Sequence, residues 1–187
     1  MARPKSDNRA RLLTAAEETT YRLGFANSAL ADIAQRAKIP LGNVYYYFKT
    51  KDQIGTAIVD RRLARFQNLL RELDTLGSPK ERLRGYLQVK IRNREQIARS
   101  GCPVGTLCSE LHKNGGTVAK RSTALFAEAL SWMEQQFKAL GRPAEARELA
   151  VHLLSAAQGV CVLAHTFHDP SLITMESKRL MAWIRSL

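Results

Sequence analysis

Residues 27–52 read NSALADIAQRAKIPLGNVYYYFKTKD and contain two short helical patterns joined by a turn. In the first pattern the apolar residues recur at intervals of three and four, which places them on one face of a helix. These residues are Leu30, Ile33, Ala34 and Ala37. Ser28 stands just before them and is a candidate N-cap. Two helices this short bury little surface alone, so we expect them to pack on a preceding helix as a helix-turn-helix.

The second pattern runs from about Leu41 to Phe48 and predicts a helix whose inner face holds Val44 and Phe48. Its outer face then carries Leu41, Gly42, Asn43, Tyr45, Tyr46 and Tyr47. Tyrosine hydroxyls can hydrogen-bond phosphate oxygens, and an asparagine can contact a base edge. We therefore predict a recognition helix that enters the DNA major groove. The alternative is an ordinary helical hairpin with an aromatic surface patch.

Two lysines follow the recognition helix at positions suited to phosphate contacts. Lys51 is predicted to open the next helix, where a lysine and the backbone N–H groups together attract a phosphate, and Lys49 lies just before it. The complete predicted DNA-binding set is Ser28, Ala29, Leu41, Gly42, Asn43, Tyr45, Tyr46, Tyr47, Lys49 and Lys51.

This block resembles the DNA-binding domain of the TetR family of transcriptional regulators. The matching residues are Gly24, Phe25, Ser28, Asp32, Ile33, Ala34, Arg36, Ala37, Ile39, Gly42, Val44, Tyr45, Tyr47, Phe48 and Lys51. Beyond about the first 60 residues the resemblance is mainly one of helix number and length. It implies a dimeric, ligand-responsive regulator of operator DNA, with repression as the commoner mode. Pro40-Leu41 stands where relatives often carry Ser-Lys, so polar contacts made there by relatives are not carried over.

The charge of the chain agrees with a polyanionic partner. Its 187 residues include 29 Lys and Arg against 17 Asp and Glu, a net charge of +12. Most of the excess lies in the first hundred residues, and residues 53–100 alone hold eleven basic and five acidic side chains. A basic half that adjoins the recognition helix favours nucleic-acid binding.

The lack of a signal-peptide pattern and the odd number of cysteines predict a cytoplasmic protein. The first nine residues are polar and basic and lack the apolar segment of a signal peptide. No apolar run is expected to reach the length of a membrane span. The cysteines, at positions 102, 108 and 161, are odd in number, which favours a reducing compartment over a disulfide framework.

The rest of the chain has helical periodicity, and no segment alternates as a strand does. The predicted fold class is all-α with about nine helices. An N-terminal three-helix helix-turn-helix domain is predicted over residues 1–52, and a C-terminal helical ligand-binding and dimerisation domain over residues 53–187. Residues 79–99 are predicted as one helix, with Ser78 as its cap and Pro79 at its first position.

Residues 150–164 contain no charged side chain, and the last helix is apolar on more than one face. Two such helices from each of two subunits would form a four-helix interface. The predicted interface residues are Ala156, Ala157, Gly159, Val160, Leu163, Leu180, Trp183 and Ile184. The alternative is a core helix buried within one subunit. The resemblance favours the dimer, because a palindromic operator requires two recognition helices about 34–36 Å apart.

Residues 100–112, SGCPVGTLCSELH, form a candidate sensor segment. Pro103 suits the first position of a helix, which makes Cys102 its predicted N-cap, where the helix dipole lowers the pKa of a thiol. The segment resembles the Gly-Cys stretch of TetR-family members that respond to electrophiles, which implies that a maleimide or quinone modifies Cys102 faster than Cys108 or Cys161. The alternative is that Cys102 is a small buried packing residue.

A small-molecule effector is the other predicted signal. The candidate effector and sensor residues are Cys102, Tyr86, His112, Phe126, Trp132 and His152. Cys161, His165 and His168 share a helical face but have no evident fourth ligand, so no metal site is predicted, and no cofactor either.

Two other function classes fit parts of this pattern. A cysteine-dependent enzyme could use Cys102 or Cys161 with a histidine, but no catalytic spacing motif supports it, so no enzyme is predicted. A non-specific nucleic-acid-binding protein would share the positive charge but show no preference for a palindrome. The predicted partners are double-stranded operator DNA, a second copy of the chain and a small-molecule effector, with no membrane.

Overall fold

The computed structural model describes residues 5–187, with side chains from Asp7 onwards, and every regular element in this range is helical. The helices are α1 Lys5–Leu23, α2 Leu30–Ala37, α3 Leu41–Tyr47, α4 Lys51–Asp74, α5 Pro79–Arg92, α6 Arg94–Ser100, α7 Gly105–Asn114, α8 Gly116–Ala139, α9 Ala146–Phe167 and α10 Ser171–Ser186. The all-α prediction is confirmed. The start of the polar N-terminal segment, residues 1–4, lies outside the described residues.

The segment predicted as one helix over residues 79–99 is interrupted at Asn93, where α5 ends and α6 begins. The Asn93 side chain donates a hydrogen bond to the carbonyl oxygen of Val89 at 2.8 Å, which competes with the helical hydrogen bond and favours a break. Counted as one interrupted helix, α5 and α6 leave the predicted total of nine for the described residues. The predicted start is confirmed, since Ser78 Oγ accepts from the Glu81 N–H and Pro79 opens α5.

The described residues form two compact units. The first contains residues up to Leu63 together with Thr106–Ala124, and its centre is formed by α1, α2, α3 and the start of α4. The buried apolar residues of these four helices include Leu12, Ala16, Ile33, Ala34, Ala37, Val44, Ile54 and Ile58, and Phe48, which follows α3, is buried with them. The inner faces predicted for α2 and α3 are thus buried in a helix-turn-helix core, except that Leu30, at the start of α2, is only partly buried.

The second unit contains Ala64–Gly105 and Leu125–Leu187. Its larger core is lined by α5, α8, α9 and α10 and by the end of α4, with Leu83, Met133, Phe137, Leu153 and Ile184 at its centre. A smaller core cluster consists of Ile97, Cys102, Val160, Cys161, Ala164 and Ile173. This smaller cluster brings two cysteines together from distant parts of the chain.

Helix α9 is, by length and composition, apolar enough to cross a bilayer, with a mean hydropathy of 1.4 over its most apolar window. The expectation that no apolar run reaches a membrane span was wrong in this respect, because the charged residues of α9 cluster at its start. Its buried positions, including Ala150, Leu153, Ala157 and Ala164, recur at helical spacing and pack within the second unit. The core helix of a soluble protein can have the same length and apolar composition, so these two properties of α9 do not by themselves indicate a membrane segment.

The residues predicted for a dimer interface divide into two groups. Ala157, Val160, Leu180 and Ile184 are buried within the single chain, so the prediction that they present a surface to a partner was wrong. Periodicity could not identify the inner face of α9 because its apolar residues surround the helix. The other group has accessible surface: Gly159 and Leu163 are exposed, and Ala156 and Trp183 are partly buried.

Candidate functional site

Helix α3 presents an aromatic and polar face. Val44 and Phe48 are buried, whereas Tyr45 and Tyr46 are 47% and 63% exposed. Tyr47 is partly buried, and its ring contacts Tyr46 edge-to-face with centroids 5.0 Å apart. Leu41, Gly42 and Asn43 at the start of α3 are also exposed. Only a narrow inner stripe of α3 is used for packing, which leaves six of its seven residues wholly or partly accessible.

Space around Gly42 supports close approach by a ligand. Apart from its chain neighbours and the backbone of its own helix, no atom of the described residues lies within 4 Å of the position that a Cβ would occupy on Gly42. The backbone at the start of α3 is therefore open to solvent, as contact with a phosphate or a base edge requires.

The two residues predicted before α2 differ in their placement. Ser28 is buried, and its hydroxyl donates to the Gly24 carbonyl oxygen at 2.6 Å. Ala29, not Ser28, occupies the N-cap position, so the capping prediction for Ser28 was wrong. The Asp32 carboxylate instead accepts from the Ala29 N–H at 3.1 Å. Ser28 therefore stabilises the turn after α1 from inside, while Ala29 is exposed.

The lysines around α3 have different local roles. Lys49 is exposed, and its backbone N–H donates to Gln53 Oε1 at 2.7 Å at the start of α4. Lys51 begins α4 as predicted, but its ammonium donates to the Ala26 carbonyl oxygen at 2.7 Å and lies 5.1 Å from the centre of the Phe25 ring. Lys51 thus links the start of α4 to the turn after α1, and its ammonium also contributes a positive charge near α3.

Sequence reasoning missed Lys38, which is exposed in the turn between α2 and α3. Its φ of 54° lies in the left-handed region, and it ends α2. This position usually selects glycine or asparagine, so the residue type carried no signal for the turn geometry. Lys38 adds a cation beside the N-terminus of α3.

Helix α7 supports the turn after α1. Glu110 accepts a hydrogen bond from the Phe25 N–H at 2.5 Å. A Cβ on Gly24, whose φ is 83°, would lie 2.6 Å from Glu110 Oε1, so only glycine fits this turn without displacing the carboxylate. The contact fixes one end of the helix-turn-helix within the first unit.

The predicted effector residues do not form one group. Tyr86 and Trp132 are buried in the second unit with ring centres 6.5 Å apart, and Trp132 Nε1 donates to Asp74 at 2.8 Å. Phe126 packs against the same core. His152 is exposed on α9, where its ring meets Trp183 at 4.9 Å. His112 is exposed in the first unit, where its ring lies 3.3 Å from Thr123 Oγ1.

Cys102 is not the N-cap of a helix. Helix α7 begins at Gly105, so Cys102, Pro103 and Val104 form the turn before it and the capping prediction was wrong. The Cys102 sulfur nevertheless accepts from the backbone N–H groups of Gly105 and Val104. A Cβ on Gly105 would lie 2.7 Å from Gln158 Oε1 and 3.8 Å from Cys102 Sγ, so a larger residue here would displace the Gln158 side chain. Cys102 is only 5% exposed.

The surroundings of Cys102 favour its thiolate. A hydrogen bond with Cys161, the charge of Lys90 and the backbone N–H groups hold the pKa of Cys102 well below its ordinary value, although burial opposes them. Lys90 Nζ lies 3.5 Å from Cys102 Sγ. Burial alone would lower the pKa of Lys90, but the neighbouring Tyr86 and Cys102 outweigh it and the pKa is raised. The hydrogen bond with Cys102 and burial raise the pKa of Cys161.

Among the residues that the structure describes, no group of three or more His, Cys, Asp or Glu side chains could hold a metal ion. The rings of His165 and His168 lie 6.0 Å apart, and His165 Nδ1 lies 3.2 Å from the Ala98 carbonyl oxygen. Cys161 forms a hydrogen bond with Cys102.

Comparison with known proteins agrees with this arrangement. Residues 12–58 match the family of bacterial regulatory proteins called the tetR family. Residues 79–177, about half of the chain, match the C-terminal domain of LmrA/YxaF-like transcriptional regulators. The chain belongs to the TetR family of transcriptional regulators. The regulator is 30% identical over 108 residues to the HTH-type transcriptional repressor NemR of Escherichia coli, a match that spans 56% of its own length and 54% of NemR.

The regulator is also similar, over a longer part of its sequence, to an uncharacterised HTH-type transcriptional regulator of Lactococcus lactis. The two are 25% identical over 89% of this chain and 88% of that protein. Solved structures show the same fold. A TetR transcriptional regulator from Legionella pneumophila superimposes with a TM-score of 0.84 at 17% identity, over 98% of both chains. The reduced form of E. coli NemR gives a TM-score of 0.73 at 21% identity, over 93% of this chain and 96% of that one.

Proposed function

We propose that the regulator is a homodimeric repressor that binds a palindromic operator in double-stranded DNA and leaves it when a signal reaches the second unit. The outward face of α3 carries this proposal. Its exposed tyrosines and asparagine have no role in the protein core, and they occupy the helix that reads the major groove in a helix-turn-helix. The NemR relative is described as a repressor, which supports repression as the mode.

The proposed DNA contacts fall into two classes. We assign a base-edge contact to Asn43, near the start of α3, and a contact with a phosphate or a thymine methyl group to Tyr45, near its middle. We assign a phosphate contact to Lys49 and a second one to Lys38, which lies outside the predicted set. Gly42 and Ala29 have little or no side chain, so the backbone can approach the duplex there. The proposed surface is completed by Leu41, Tyr46, Tyr47 and Lys51. Ser28 acts from beneath it by holding the turn.

Binding to a palindrome can be tested without knowing the operator. A duplex selected from a random pool should bind at least about 1,000 times more tightly than a scrambled duplex of equal length in the same salt. Equal affinity for the two duplexes would show a non-specific nucleic-acid-binding protein instead.

Replacing Lys49 with alanine should weaken binding to the selected and the scrambled duplex by the same factor. The exposed ammonium is proposed to neutralise one phosphate, so the slope of log affinity against log salt should fall by about one. Lys113→Ala removes the same charge from an exposed position on α7 and should leave the slope unchanged. Lys51 is less suited to this test because its ammonium also donates to Ala26. A loss confined to one operator base would contradict a phosphate role for Lys49.

The proposed dimer surface is an exposed stripe on α9. His152, Ala156, Gly159, Leu163 and Phe167 recur at intervals of three and four, so they lie on one side of the helix. Leu163 and Phe167 are 51% and 68% exposed, which is costly for large apolar side chains in water. On α10, Met175 is 54% exposed. Outside its chain neighbours and the backbone of α9, Gly159 has no atom of the described part of the chain within 4 Å of a Cβ position, so a partner helix can approach closely there.

Replacing Leu163 with arginine should raise the dissociation constant of the dimer at least about 100-fold, since a two-fold interface buries the new charge twice without a partner. Sedimentation velocity measures this shift, and operator affinity should fall with it. Ala127→Arg adds the same charge at an exposed position on α8 and should leave the dimer intact. An unchanged dissociation constant for the Leu163 variant would remove this stripe from the interface.

We further propose that the signal acts through the second unit, either as a small molecule near Tyr86 and Trp132 or as chemical modification of Cys102. Helix α4 is continuous from Lys51 to Asp74, so a shift at its end has a covalent path to the residues that follow α3. This regulator would act in the cytoplasm and would react with a modifying compound once, without turnover. Repeated turnover of such a compound would instead indicate a cysteine-dependent enzyme.

A further inference from the structure

Four reactive or polar side chains meet in the second unit at a place that the DNA-binding function does not use. Cys102 precedes α7, Cys161 lies in the second half of α9, and both belong to the same small core cluster. Lys90 comes from the end of α5, with its ammonium 3.5 Å from Cys102 Sγ and 5.7 Å from the centre of the Tyr86 ring. No local sequence pattern relates these residues.

The donors around Cys102 surround its sulfur atom. Lys90 supplies an ammonium group, Val104 and Gly105 supply backbone N–H groups, and Cys161 supplies its thiol. Cys161 Sγ also lies 3.1 Å from the carbonyl oxygen of Ala157, which keeps this thiol on the side of α9 that meets Cys102. A buried sulfur with this many donors is suited to carrying a negative charge, and a thiolate is the form of cysteine that reacts with peroxides.

We propose that Cys102 and Cys161 form a reversible disulfide when hydrogen peroxide reaches the cluster, with Cys102 as the residue that attacks, Cys161 as the residue that resolves and Lys90 as the proton donor. The inference that this reaction is a signal rests on the proposed repressor function. The disulfide chemistry itself rests only on the arrangement of Cys102, Cys161 and Lys90.

The reaction consumes one molecule of hydrogen peroxide. The Cys102 thiolate attacks one peroxide oxygen, the O–O bond breaks, and the departing hydroxide takes a proton from the Lys90 ammonium to form water. Cys102 is then a sulfenic acid. The Cys161 thiol passes its proton to the Lys90 amine and attacks the Cys102 sulfur, the S–O bond breaks, and the second hydroxide takes that proton. Two sulfurs are oxidised to a disulfide, and the peroxide is reduced to two molecules of water.

Burial determines which oxidants can act. Cys102 and Cys161 are 5% and 1% exposed, so a molecule the size of hydrogen peroxide fits the approach better than a maleimide or a quinone. This reverses the expectation from the sequence, in which bulky electrophiles react first at an accessible Cys102. A denatured chain should react with maleimide at all its cysteines, whereas the folded chain should react slowly.

The disulfide also changes the charge balance of the cluster. Oxidation removes the thiolate that faces Lys90, which leaves a partly buried amine or ammonium without its charged partner. The turn of residues 101–104 leads directly into α7, and α7 carries the Glu110 carboxylate that accepts from the Phe25 N–H in the first unit. Displacement of this turn therefore has a short covalent path to a contact that supports the helix-turn-helix.

The test treats the reduced full-length dimer with one equivalent of hydrogen peroxide and maps its peptides without reduction. The wild-type protein should lose two of its three thiols, yield one peptide pair joined through Cys102 and Cys161, and recover both thiols with dithiothreitol. Cys161→Ser should give a Cys102 sulfenic acid that dimedone traps, and no disulfide. Cys108→Ser is the matched control and should form the disulfide at the wild-type rate, because Cys108 lies in the first unit.

Lys90→Met separates the chemical role of the ammonium from packing. At pH 7 its oxidation should be at least about 10-fold slower, because the variant loses both the positive charge that favours the Cys102 thiolate and the proposed proton donor. As the pH falls from 8 to 6.5, the wild-type rate should fall less steeply than the rate of the variant, because the pKa of Cys102 lies well below its ordinary value. The Lys90→Met rate should fall with pH over this range. A purely structural role would leave the shape of the pH profile unchanged.

Three outcomes would overturn the inference: a peptide map with Cys102 joined to any other residue, a Cys161→Ser variant whose oxidised products match those of the wild type, or a wild-type chain in which peroxide leaves all the thiols intact. Operator binding by the reduced protein is measured in the same samples. Absence of a disulfide in a protein that binds its selected duplex would refute the redox pair alone. Disulfide formation in a protein that prefers no duplex would refute the repressor function alone.

Discussion

Phe48→Ala is expected to lower the free energy of unfolding by about 3–5 kcal/mol, the usual cost of removing a buried phenylalanine ring. Phe48 is only 2% exposed and follows α3, with its backbone N–H bonded to the Val44 carbonyl oxygen at 2.8 Å. The Arg9 guanidinium lies 5.3 Å from the centre of its ring, so the substitution also removes a contact with α1. Urea denaturation followed by circular dichroism measures the loss.

Tyr46→Ala is the matched control for this prediction. It removes an aromatic ring from the same helix, but Tyr46 is 63% exposed and its ring makes an edge-to-face contact with Tyr47, so the free energy of unfolding should fall by no more than about 1.5 kcal/mol. Equal destabilisation by the two substitutions would contradict the assignment of an inner and an outer face to α3.

Tyr45→Ala is expected to weaken binding to the selected operator by about 10- to 100-fold, which corresponds to about 1–3 kcal/mol for a contact to DNA. The side chain is 47% exposed on the outward face of α3, so its loss should leave the fold intact. Fluorescence anisotropy with labelled duplex measures the affinity, and circular dichroism confirms the helix content.

Tyr45→Phe divides this effect between the hydroxyl group and the ring. If the hydroxyl bonds a phosphate, phenylalanine should retain only the part of the affinity that comes from ring packing, and the loss should be the same for every duplex. If the ring packs on a thymine methyl group, phenylalanine should bind almost as well as tyrosine and keep the sequence preference. Wild-type affinity for both variants would remove Tyr45 from the DNA interface.

Local patterns predicted several elements because the forces involved act within a few residues. The spacing of Val44 and Phe48 identified the inner face of α3, and both are buried. The Ser78-Pro79 pair identified the start of α5, since a capping hydroxyl and a proline act within one turn. Local rules failed where a side chain had a competing partner. Ser28 has the chemistry of an N-cap, but its hydroxyl bonds the Gly24 carbonyl oxygen instead.

The sequence by itself determined the all-α fold, the helix-turn-helix and the accessible face of α3, because helical periodicity and turn residues encode them locally. Only the tertiary structure decided which side of α9 is buried, since its apolar residues surround the helix and packing alone separates Ala157 from Leu163. Tertiary structure also decided the surroundings of Cys102. Its partners Lys90 and Cys161 come from different helices, and contacts between residues so distant in the chain arise from the packing of whole helices, which no local pattern records.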